Sequence, residues 1–371
     1  MKRYLLFALI ALLLVSCSKK VEVSIFNNSE VDRENETVEL CLCLFKELDP
    51  EQIVVFDAQG NVIPSQILTK GTGSPQSLLF QVSLVAGKQV IYTLKESTRQ
   101  NYPQKVQVIP YDTPEKAVAW ENERIAFQLL GKASSPAQSG SGIGVWFKSV
   151  EKLVLNEKLA EKVSGTIKDN SIPAILPFLG AGGLTLNTRD TLLSKKGFDR
   201  LQVLDNGPIR TSFSLTYNSV KYGDKSLTEE YVVHLDAGSN LNEVHVRFAG
   251  DTSSVMLAAG IYRSDSSQWL SVNKEFSTLG YGIATAHSLK GDSINPPRNY
   301  YGMVFTKDWQ STRKKEHHIY ALYSLKIGEE FVYYTGAANG SRFFKKTDDW
   351  NNYLKSKRKS LLQPLKIKLL K

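Results

Sequence analysis

Alternation of hydrophobic and polar residues runs through most of this chain and predicts β-strands rather than helices. Residues 21–25 alternate in this way near the start, and residues 38–45 are hydrophobic on both strand faces. Hairpin-turn sequences such as DAQGN at residues 57–61 separate these segments. About seven short strands at this spacing predict an amino-terminal β-sandwich module over residues 17–108.

A larger β-domain is predicted after residues 96–114, a proline-bearing segment typical of a linker with one extended strand inside it. The alternating segments of this domain are residues 124–130, 143–148, 201–203, 209–217, 228–235, 242–248, 256–262, 282–287, 301–306, 319–325 and 330–335. Helical periodicity is confined to residues 150–163 and 348–357. The predicted fold class is therefore all-β, with a large antiparallel domain of two sheets packed face to face over residues 109–371.

The length of the chain and the pattern at its carboxyl terminus give further information on the domain organisation. A chain of 371 residues is longer than one hydrophobic core usually organises, which favours two domains. Residues 364–370 alternate leucine and isoleucine with lysine, a pattern typical of a lysine-protected edge strand.

The net charge of +9 does not indicate nucleic-acid binding. Residues 1–16 contribute +2, and residues 351–371 contribute seven lysines or arginines without an acid, which leaves residues 17–350 formally neutral. A basic tail on a neutral body is not the continuous basic stripe that nucleic acid requires. We therefore expect no nucleic-acid partner.

The amino terminus is typical of a secretory signal. Two basic residues precede an apolar run at residues 4–14, which is too short to span a bilayer comfortably. The sequence LVSC at residues 14–17 resembles a bacterial lipobox, in which Cys17 becomes the first mature residue and carries acyl chains. This resemblance implies removal of residues 1–16 and a lipid anchor in the cell envelope, on the periplasmic face of the outer membrane. An ordinary signal peptide with a chance cysteine is the alternative.

The two remaining cysteines, Cys41 and Cys43, lie two positions apart on one face of a predicted strand. This spacing is poor geometry for a mutual disulfide, and no spaced histidines accompany them as metal ligands. We therefore interpret them as buried core thiols. The chain also lacks a phosphate loop, a dinucleotide glycine fingerprint, a serine elbow and a metalloprotease helix, so neither a metal nor a cofactor is expected.

The stretch AWENERIAFQ at residues 119–128 carries the clearest candidate ligand chemistry. Interpreted as a single strand, it places Trp120, Asn122 and Arg124 on one face and Glu121 on the other. An aromatic ring, an amide and a guanidinium suit a sugar, because the ring stacks and the donors bind hydroxyls or a carboxylate. A strand with one solvated face is the alternative.

Histidine supplies the candidate general base. His318 opens a predicted strand and is expected to face a cleft, with Glu121 or Asp236 as its acid partner. A second row at residues 243–247 places a glutamate, a histidine and an arginine on one strand face. This row either binds a sugar acid or is a solvated outer face of a sheet.

Several short motifs occur in a fixed order along the mature chain. They are residues 119–127, Gly131, GIGVWFK at 142–148, NGPIR at 206–210, LDAGSNLN at 235–242, YYTGAA at 333–338, Asp349-Trp350 and Tyr353-Leu354, preceded by Asn27, Arg33, ETVEL at 36–40, Asp57, Gly60, Pro64 and Gln66. Together they resemble an uncharacterised bacterial envelope family, catalogued as domain of unknown function four-eight-six-one. The chain departs from that family's pattern at residues 156–179, which lack its histidine- and acid-bearing loop, and at Gln128 and Asn339.

The resemblance implies a fold similar to the galactose-mutarotase supersandwich, whose concave sheet face holds a sugar. Such proteins occur in glycan-degrading bacteria beside uronic-acid-processing enzymes, and some are joined to unsaturated glucuronyl hydrolases. By motif match, the expected substrate-binding residues are Trp120, Asn122, Arg124, Arg210 and Tyr334, and the expected catalytic residues are Glu121, His318 and Asp236. The arginines would bind a carboxylate, and Glu121 and His318 would transfer protons.

The leading hypothesis is a lipid-anchored periplasmic protein that acts on uronic-acid-containing oligosaccharides of pectin-like glycans, as a hydrolase or lyase. The alternative is a non-catalytic glycan-binding lipoprotein of a polysaccharide-utilisation system. A third hypothesis is a structural envelope component without a sugar ligand. The expected partners are an oligosaccharide and, through the anchor, a membrane; the sequence does not predict the oligomeric state.

Overall fold

The computed structural model describes residues 19–112, 116–132, 142–163, 179–263, 267–284, 298–340 and 342–370. Across these ranges the chain forms twenty-five strands and two α-helices, and the strands pair in antiparallel sheets. The predicted all-β fold class is therefore confirmed. Cys17 and the predicted signal segment lie outside the described residues, as do residues 164–178 of the segment that departs from the family pattern.

Seven strands build the amino-terminal module. They are β1 Lys20–Phe26, β2 Arg33–Cys41, β3 Ile53–Phe56, β4 Val62–Ile63, β5 Ser65–Leu68, β6 Ser77–Leu84 and β7 Gln89–Glu96. The alternation seen in the sequence buries one face of each strand, as Val21, Val23 and Ile25 of β1 illustrate. Their side chains join a hydrophobic core that is separate from the larger core of the remaining chain.

The remaining elements follow in chain order. The strands are β8 Val106–Asp112, β9 Lys116–Asn122, β10 Ala126–Leu130, β11 Gly144–Trp146, β12 Gly183–Thr188, β13 Thr191–Leu192, β14 Arg200–Asn206, β15 Arg210–Tyr222, β16 Lys225–Asp236, β17 Leu241–Ala249, β18 Ser254–Tyr262, β19 Ser267–Asn273, β20 Thr278–Ala284, β21 Arg298–Phe305, β22 Ser311–Lys315, β23 His318–Lys326, β24 Phe331–Asn339 and β25 Lys366–Leu370. The helices are α1 Leu155–Val163 and α2 Thr347–Leu362. Each predicted strand and helix segment of this region overlaps an observed element.

Two sheets form the amino-terminal sandwich, with strand orders β25-β1-β7-β3-β4 and β2-β6-β5. The carboxy-terminal strand β25 pairs antiparallel with β1, so that Lys368 lies opposite Ser24. This basic strand lies at a sheet edge, but the sheet belongs to the amino-terminal module rather than to the second sandwich. Leu365 and Leu369 account for this position, because they pack against the core of the module.

An eight-stranded and a five-stranded sheet form the second sandwich. Their orders are β14-β15-β16-β17-β24-β21-β20-β19 and β13-β12-β18-β23-β22. In β17, Val244, Val246 and Phe248 point into the shared core, so the residues between them lie on the opposite face of the sheet. We call this opposite face of the eight-stranded sheet, turned away from the five-stranded sheet, the outer face.

Further elements pack around the second sandwich. A four-stranded sheet with the order β11-β10-β9-β8 contributes to the shared core, and α1 packs on its other side through Leu155 and Leu159. Helix α2 lies on the outer face, where Trp350 and Leu354 are buried against residues of β21 and β24. Helix α2 therefore covers the part of the outer face that β21 and β24 form.

The amino-terminal module covers a different part of the outer face, where β15 begins and β16 ends. Buried Gln66 accepts a hydrogen bond of 2.8 Å from the Arg210 backbone N–H and donates one of 2.9 Å to the Arg210 carbonyl. Gln81 donates to the carbonyl of Ala237 at 2.8 Å. These bonds hold the module beside the part of the outer face that α2 leaves uncovered.

The interpretation of Cys41 and Cys43 as buried core thiols is wrong. Both residues are exposed, and a disulfide joins them. The strand does not continue through them, because β2 ends at Cys41 and a 3₁₀ turn follows over Leu42–Leu44. The turn brings their Cα atoms to 5.2 Å, within the range of roughly 4.4–6.8 Å that disulfides span.

Candidate functional site

Arg210, the first residue of β15, lies at one end of the outer face in a network of carboxylates. Its guanidinium donates to Asp236 through two parallel bonds, 2.6 Å from Nε and 2.8 Å from Nη2. A third bond of 3.1 Å joins Nη1 to Glu39 of the amino-terminal module. Burial opposes ionisation of Asp236, but Arg210 outweighs it and lowers the pKa of this carboxyl group. The network therefore stays charged and links the two sandwiches.

Glu243 and His245 of β17 form a second charged group on the outer face. The His245 ring lies between two carboxylates, with Nε2 3.0 Å from Glu243 and Nδ1 3.2 Å from Glu330. Burial lowers the pKa of His245, but the two carboxylates outweigh burial and raise it above 6.5. Burial likewise opposes ionisation of Glu243, yet the bond to His245 and the charge of Arg210 bring its pKa to about 2. Glu243 is therefore ionised at neutral pH.

His234 of β16 lies beside this pair, between Ser212 and Glu243 in the strand register. Its ring packs edge-on against His245, with the centroids 5.5 Å apart. Burial, and then the charge of Arg210, lower the pKa of His234 to about 4, so this imidazole is neutral at neutral pH. Its Nδ1 atom is buried without a hydrogen-bond partner in the described part of the chain. Such atoms are rare in folded proteins and mark a position for a ligand or an ordered water.

Tyr334 of β24 extends this row across the sheet, because it lies opposite Glu243 in the strand register. Burial, together with the Glu243 carboxylate, raises the pKa of the Tyr334 phenol and keeps it protonated. Lys357 of α2 reaches over the ring of Tyr334, with Nζ 4.4 Å from its centroid. The row thus combines a neutral imidazole, a protonated phenol and an ammonium group.

A cavity of about 250 Å³ continues along the outer face from this row. Its polar lining residues are Arg200, Gln202, Ser214, Thr216 and Glu230. Val232 connects the two areas, since it lines the cavity and pairs with His245 in the sheet. The polar surface of the outer face therefore extends beyond the row that contains His234.

The stretch at residues 119–128 is a hairpin and not the single strand that its pattern suggested. Asn122 forms the turn, because its Oδ1 accepts bonds from the backbone N–H groups of Arg124 at 2.9 Å and Ile125 at 3.1 Å. Asparagine commonly stabilises turns in this way. The assignment of strand faces past Asn122 is therefore wrong.

Trp120 lies in the core of the second sandwich rather than on a ligand-binding face. Its side chain is 1% exposed, and it stacks on Phe127 with a centroid distance of 5.5 Å. Phe213 packs against it at 5.0 Å, and its Nε1 donates to Asn242 at 2.7 Å. Both its ring faces and its donor are thus used inside the protein, which contradicts a role in sugar stacking.

Glu121 is fully buried, and protein groups occupy both of its oxygens. Oε2 pairs with Lys148 Nζ at 2.7 Å. Oε1 accepts bonds from Gln107 at 2.6 Å and from the backbone N–H groups of Val154 and Leu155 at 2.7 Å. A carboxylate at the start of a helix stabilises its unpaired N–H groups and its dipole, so we assign Glu121 a structural role at α1. This replaces the predicted catalytic role.

Asn122 and Arg124 connect the hairpin to neighbouring loops. The Asn122 amide donates to the carbonyl oxygens of Asp236 at 2.8 Å and Ser239 at 2.6 Å. Arg124 is half-buried, and its guanidinium carbon lies 5.0 Å from the ring centroid of Phe343. Asn122 therefore supports the loop that follows Asp236, and neither residue belongs to the row that contains His234.

His318 is on the other sheet of the sandwich. It begins β23, and the next residue, Ile319, points into the shared core, so His318 faces away from that core. Its ring contacts Tyr262, with the centroids 5.4 Å apart. The core therefore separates His318 from Asp236 on the outer face. The predicted pairing of this histidine with Asp236 is contradicted.

The structure brings together some of the predicted residues and adds others. The predicted residues on the outer face are Arg210, Asp236 and Tyr334. The candidate residues that the sequence did not single out are His234 and Lys357, and the row at residues 243–247 is on the outer face, as both of its interpretations required. The sequence pattern contains an indication of the orientation of His234. This residue alternates with Val233 and Leu235, which are buried in the core, so its side chain points to the outer face.

Within the described ranges, no group of three or more histidine, cysteine, aspartate or glutamate side chains is arranged to hold a metal ion. In the same part of the chain, neither helix has the length and apolar character that crossing a membrane requires. Both helices pack on sheets instead.

Comparison with known families identifies the chain. Residues 25–367 match the family described as Domain of unknown function (DUF4861). The chain belongs to this family. The resemblance inferred from the ordered motifs is thereby confirmed for nearly the whole DUF4861 protein.

Relatives of the DUF4861 protein support the fold. The uncharacterized protein P7 of Formosa agariphila is 24% identical over 395 residues, which cover 98% of each chain. Two solved structures from Enterococcus faecalis, a protein in glycosyl hydrolase family 38 and an α-mannosidase, each match with a TM-score of 0.52 and 9% identity. The matches cover 95% of this chain but only 47% and 46% of those chains, so this protein spans about half their length. At this identity the likeness shows the fold alone.

Proposed function

We propose that the DUF4861 protein cleaves uronic-acid-containing oligosaccharides by β-elimination at the outer face. The observation that carries this proposal is the environment of His234. Its imidazole is held neutral by burial and by Arg210, and its buried Nδ1 has no partner within the described chain. An unprotonated imidazole nitrogen without a protein partner is free to accept a proton from a bound substrate.

In the proposed reaction, His234 Nδ1 takes the proton from the carbon next to the uronate carboxylate. The released electron pair forms a carbon–carbon double bond, and the bond from the neighbouring carbon to the glycosidic oxygen breaks. Tyr334 donates its proton to the departing oxygen and recovers one from solvent, because its raised pKa keeps the phenol protonated. The products are an unsaturated uronate and a shortened glycan, with no redox change and no water consumed.

This reaction requires a cation at the uronate carboxylate, because removal of the adjacent proton builds up negative charge there. Lys357 has this role in our proposal, since it is half-buried and lies over the ring of Tyr334. Arg210 is 8% exposed and bound to Asp236 through two bonds, so we assign it a positioning role. Its charge helps to keep His234 neutral.

Elimination fits these residues better than hydrolysis. A glycosidase with two carboxyl groups needs one of them protonated as a general acid, which requires a raised pKa. The pKa of Glu243 is about 2, because the bonds to His245 and the charge of Arg210 outweigh burial. The pKa of Asp236 is also lowered. Neither of these two carboxyl groups is suited to act as the acid.

The adjoining cavity supports a substrate of more than one sugar. It has a volume of about 250 Å³, and its lining includes hydroxyl, amide and guanidinium groups. Such groups hydrogen-bond to sugar hydroxyls. In our proposal the reacting uronate lies over His234, and the neighbouring sugar lies in this cavity.

Mass spectrometry of uronic-acid oligosaccharides incubated with the protein tests the reaction type. Elimination gives fragments whose masses add up to that of the parent, whereas hydrolysis adds one water. We expect unsaturated fragments from the wild type and none from His234→Ala, with His317→Ala as the matched control. Fragments that contain an added water, or equal cleavage by His234→Ala, would overturn the proposal.

A non-catalytic glycan-binding role is the second candidate. It is favoured by the engagement of Asp236 and Glu243, the two carboxylates next to His234, with protein cations. Calorimetric titration distinguishes the two roles. A binding protein would hold the oligosaccharide without forming product and would lose affinity in His234→Ala, whereas the lyase variant would retain affinity and lose turnover.

We also propose that Cys17 is acylated and anchors the protein to the periplasmic face of the outer membrane. This rests on the lipobox-like sequence at residues 14–17. Strand β1 begins at Lys20, so the amino-terminal module would lie within about 10 Å of the membrane surface. Fatty-acid labelling and membrane fractionation of cells are the test. We expect label and membrane association to disappear in Cys17→Ser, and an unlabelled wild type would overturn the proposal.

A further inference from the structure

A second pocket lies away from the outer-face row, where the loop before β14 meets the far part of β15. It has a volume of about 430 Å³, within the size range of small-molecule sites. Tyr217 lines this pocket from the core-facing side of β15, whereas Ser214 and Thr216 line the cavity beside His234 from the outer face. The pocket is therefore distinct from the site proposed for elimination.

The charges around this pocket are mainly positive. Four lysines and one carboxylate line it, and the carboxylate, Asp199, is 3.3 Å from Lys132. Lys196 and Lys221 are exposed at the pocket, and no acidic partner for either occurs in the described ranges. Two uncompensated ammonium groups at one concave surface favour an anion.

The floor of the pocket is formed by Lys195, whose side chain is 9% exposed. Its ammonium group pairs with Glu229 and donates to the Tyr231 hydroxyl at 2.7 Å. The same Nζ lies 3.8 Å from the ring centroid of Tyr217. Lys195 also lines a small cavity of about 40 Å³ inside the sandwich, so it separates the pocket from the core.

Glu229 lies beneath Lys195 and does not line the pocket itself. Its side chain is 1% exposed, and Oε2 faces Lys195. Its other oxygen, Oε1, is buried without a hydrogen-bond partner among the described residues. An ordered water beneath the floor would supply the donor that an unpartnered buried carboxylate oxygen requires.

The rim of the pocket provides apolar contact as well as charge. Leu193 and Val220 line it together with Asn218 and Ser219. Aliphatic side chains beside an amide and a hydroxyl suit a hydroxylated ring, which has both apolar and polar faces. Charge, size and lining thus agree on one class of ligand.

We propose that this pocket is a second binding site for a sugar-sized anion, a hydroxylated ring that carries a carboxylate or a sulfate. Lys196 and Lys221 bind the anionic group, and the Lys195–Glu229 pair forms the floor. This inference goes beyond the elimination reaction and does not depend on it, because the two sites share no described residue.

Calorimetric titration with glucuronate, glucose 6-sulfate and glucose tests the proposal and separates the two kinds of anion. The pocket variant is Lys196→Ala/Lys221→Ala, and the matched control is Lys274→Ala/Lys314→Ala, which removes the same charge from exposed positions elsewhere. We expect at least one anion to bind the wild type and the control equally, and the pocket variant at least about tenfold more weakly. Equal weakening of both variants, or binding of glucose as tight as that of the anions, would overturn the proposal.

Acetylation of the wild-type protein maps the site without any substitution. Mass spectrometry is used to compare lysine acetylation with and without the anion that binds. We expect protection of Lys196 and Lys221 and unchanged acetylation of Lys274 and Lys314. Because His234→Ala leaves this pocket intact, that variant should show the same protection even where elimination is lost. Absence of binding by both anions, or of protection at the pocket lysines, would contradict the inference.

Discussion

The hairpin of β9 and β10 and the outer face each contain a buried titratable side chain, Glu121 and His234, and these two side chains differ in how fully they are hydrogen-bonded. In the hairpin, Glu121 uses both oxygens, and Lys148 donates to Glu121 and to two backbone carbonyls. On the outer face, the Nδ1 atom of His234 is buried without a partner in the described chain. Both side chains are buried, and of these two only His234 has a buried polar atom without a partner among the described residues.

This difference distinguishes polar groups that stabilise the fold from polar groups that are available to a ligand. A buried carboxylate with full partners contributes to folding, because removing one partner leaves an uncompensated charge. A neutral imidazole with an unpaired nitrogen adds little to stability and is suited to bind a ligand. Substitution in the two regions should therefore affect different measurements.

The largest expected effect is on stability, from Glu121→Leu. This substitution leaves Lys148, whose side chain is 2% exposed, without its carboxylate. We expect a loss of about 3–5 kcal/mol in the free energy of unfolding, measured by chemical denaturation. Adding Lys148→Met should restore a large part of the loss. If the unfolding free energy were unchanged and glycan binding were lost, Glu121 would instead be assigned to the functional site.

The next effect is on turnover, from His234→Ala. Loss of a general base lowers kcat/KM by about a hundredfold or more. We expect this loss in steady-state assays on uronic-acid oligosaccharides, with the unfolding free energy within about 1 kcal/mol of wild type. His317→Ala, at an exposed position on the other sheet, should change neither quantity. A stability loss comparable to that of Glu121→Leu would make His234 a structural residue.

The pH dependence follows from the lowered pKa of His234. Its pKa is about 4 in the folded protein and 6.5 ordinarily, since burial and Arg210 disfavour the charged form. The unfolded chain takes up a proton that the folded chain does not, so this residue reduces stability as the pH falls from 6.5 towards 4. The base is unprotonated above about pH 4, so kcat/KM should fall only below that value. An acidic limb near 6.5 in the pH–rate profile would contradict this environment.

The smallest effect is expected from Trp120→Phe. The ring packing against Phe127 is largely retained, but Asn242 loses the donor that Trp120 Nε1 supplies at 2.7 Å. An unpaired buried amide oxygen costs about 1–3 kcal/mol. Denaturation should show this loss, and glycan affinity in calorimetry should not change. Weakened affinity without a change in stability would support the sugar-stacking role that the sequence suggested.

Periodicity was sufficient for the fold class because each strand buries one face. It also placed Glu243, His245 and Arg247 on the outward face of β17. It failed at residues 119–128, because an asparagine-centred turn divides a segment that alternates throughout. His318 and Asp236 lie on opposite sheets, and alternation within one strand carries no information on which sheet that strand joins.

Nitrogen-15 NMR of the imidazole rings tests the central claim most directly, since the chain has only five histidines. The protein is labelled at histidine and titrated with a uronic-acid oligosaccharide, and His234→Ala assigns the relevant signal. We predict that the Nδ1 resonance of His234 shifts as the ligand binds, while those of His317 and His318 stay unchanged. Saturation by the ligand without a shift of the His234 signal would contradict the outer-face site.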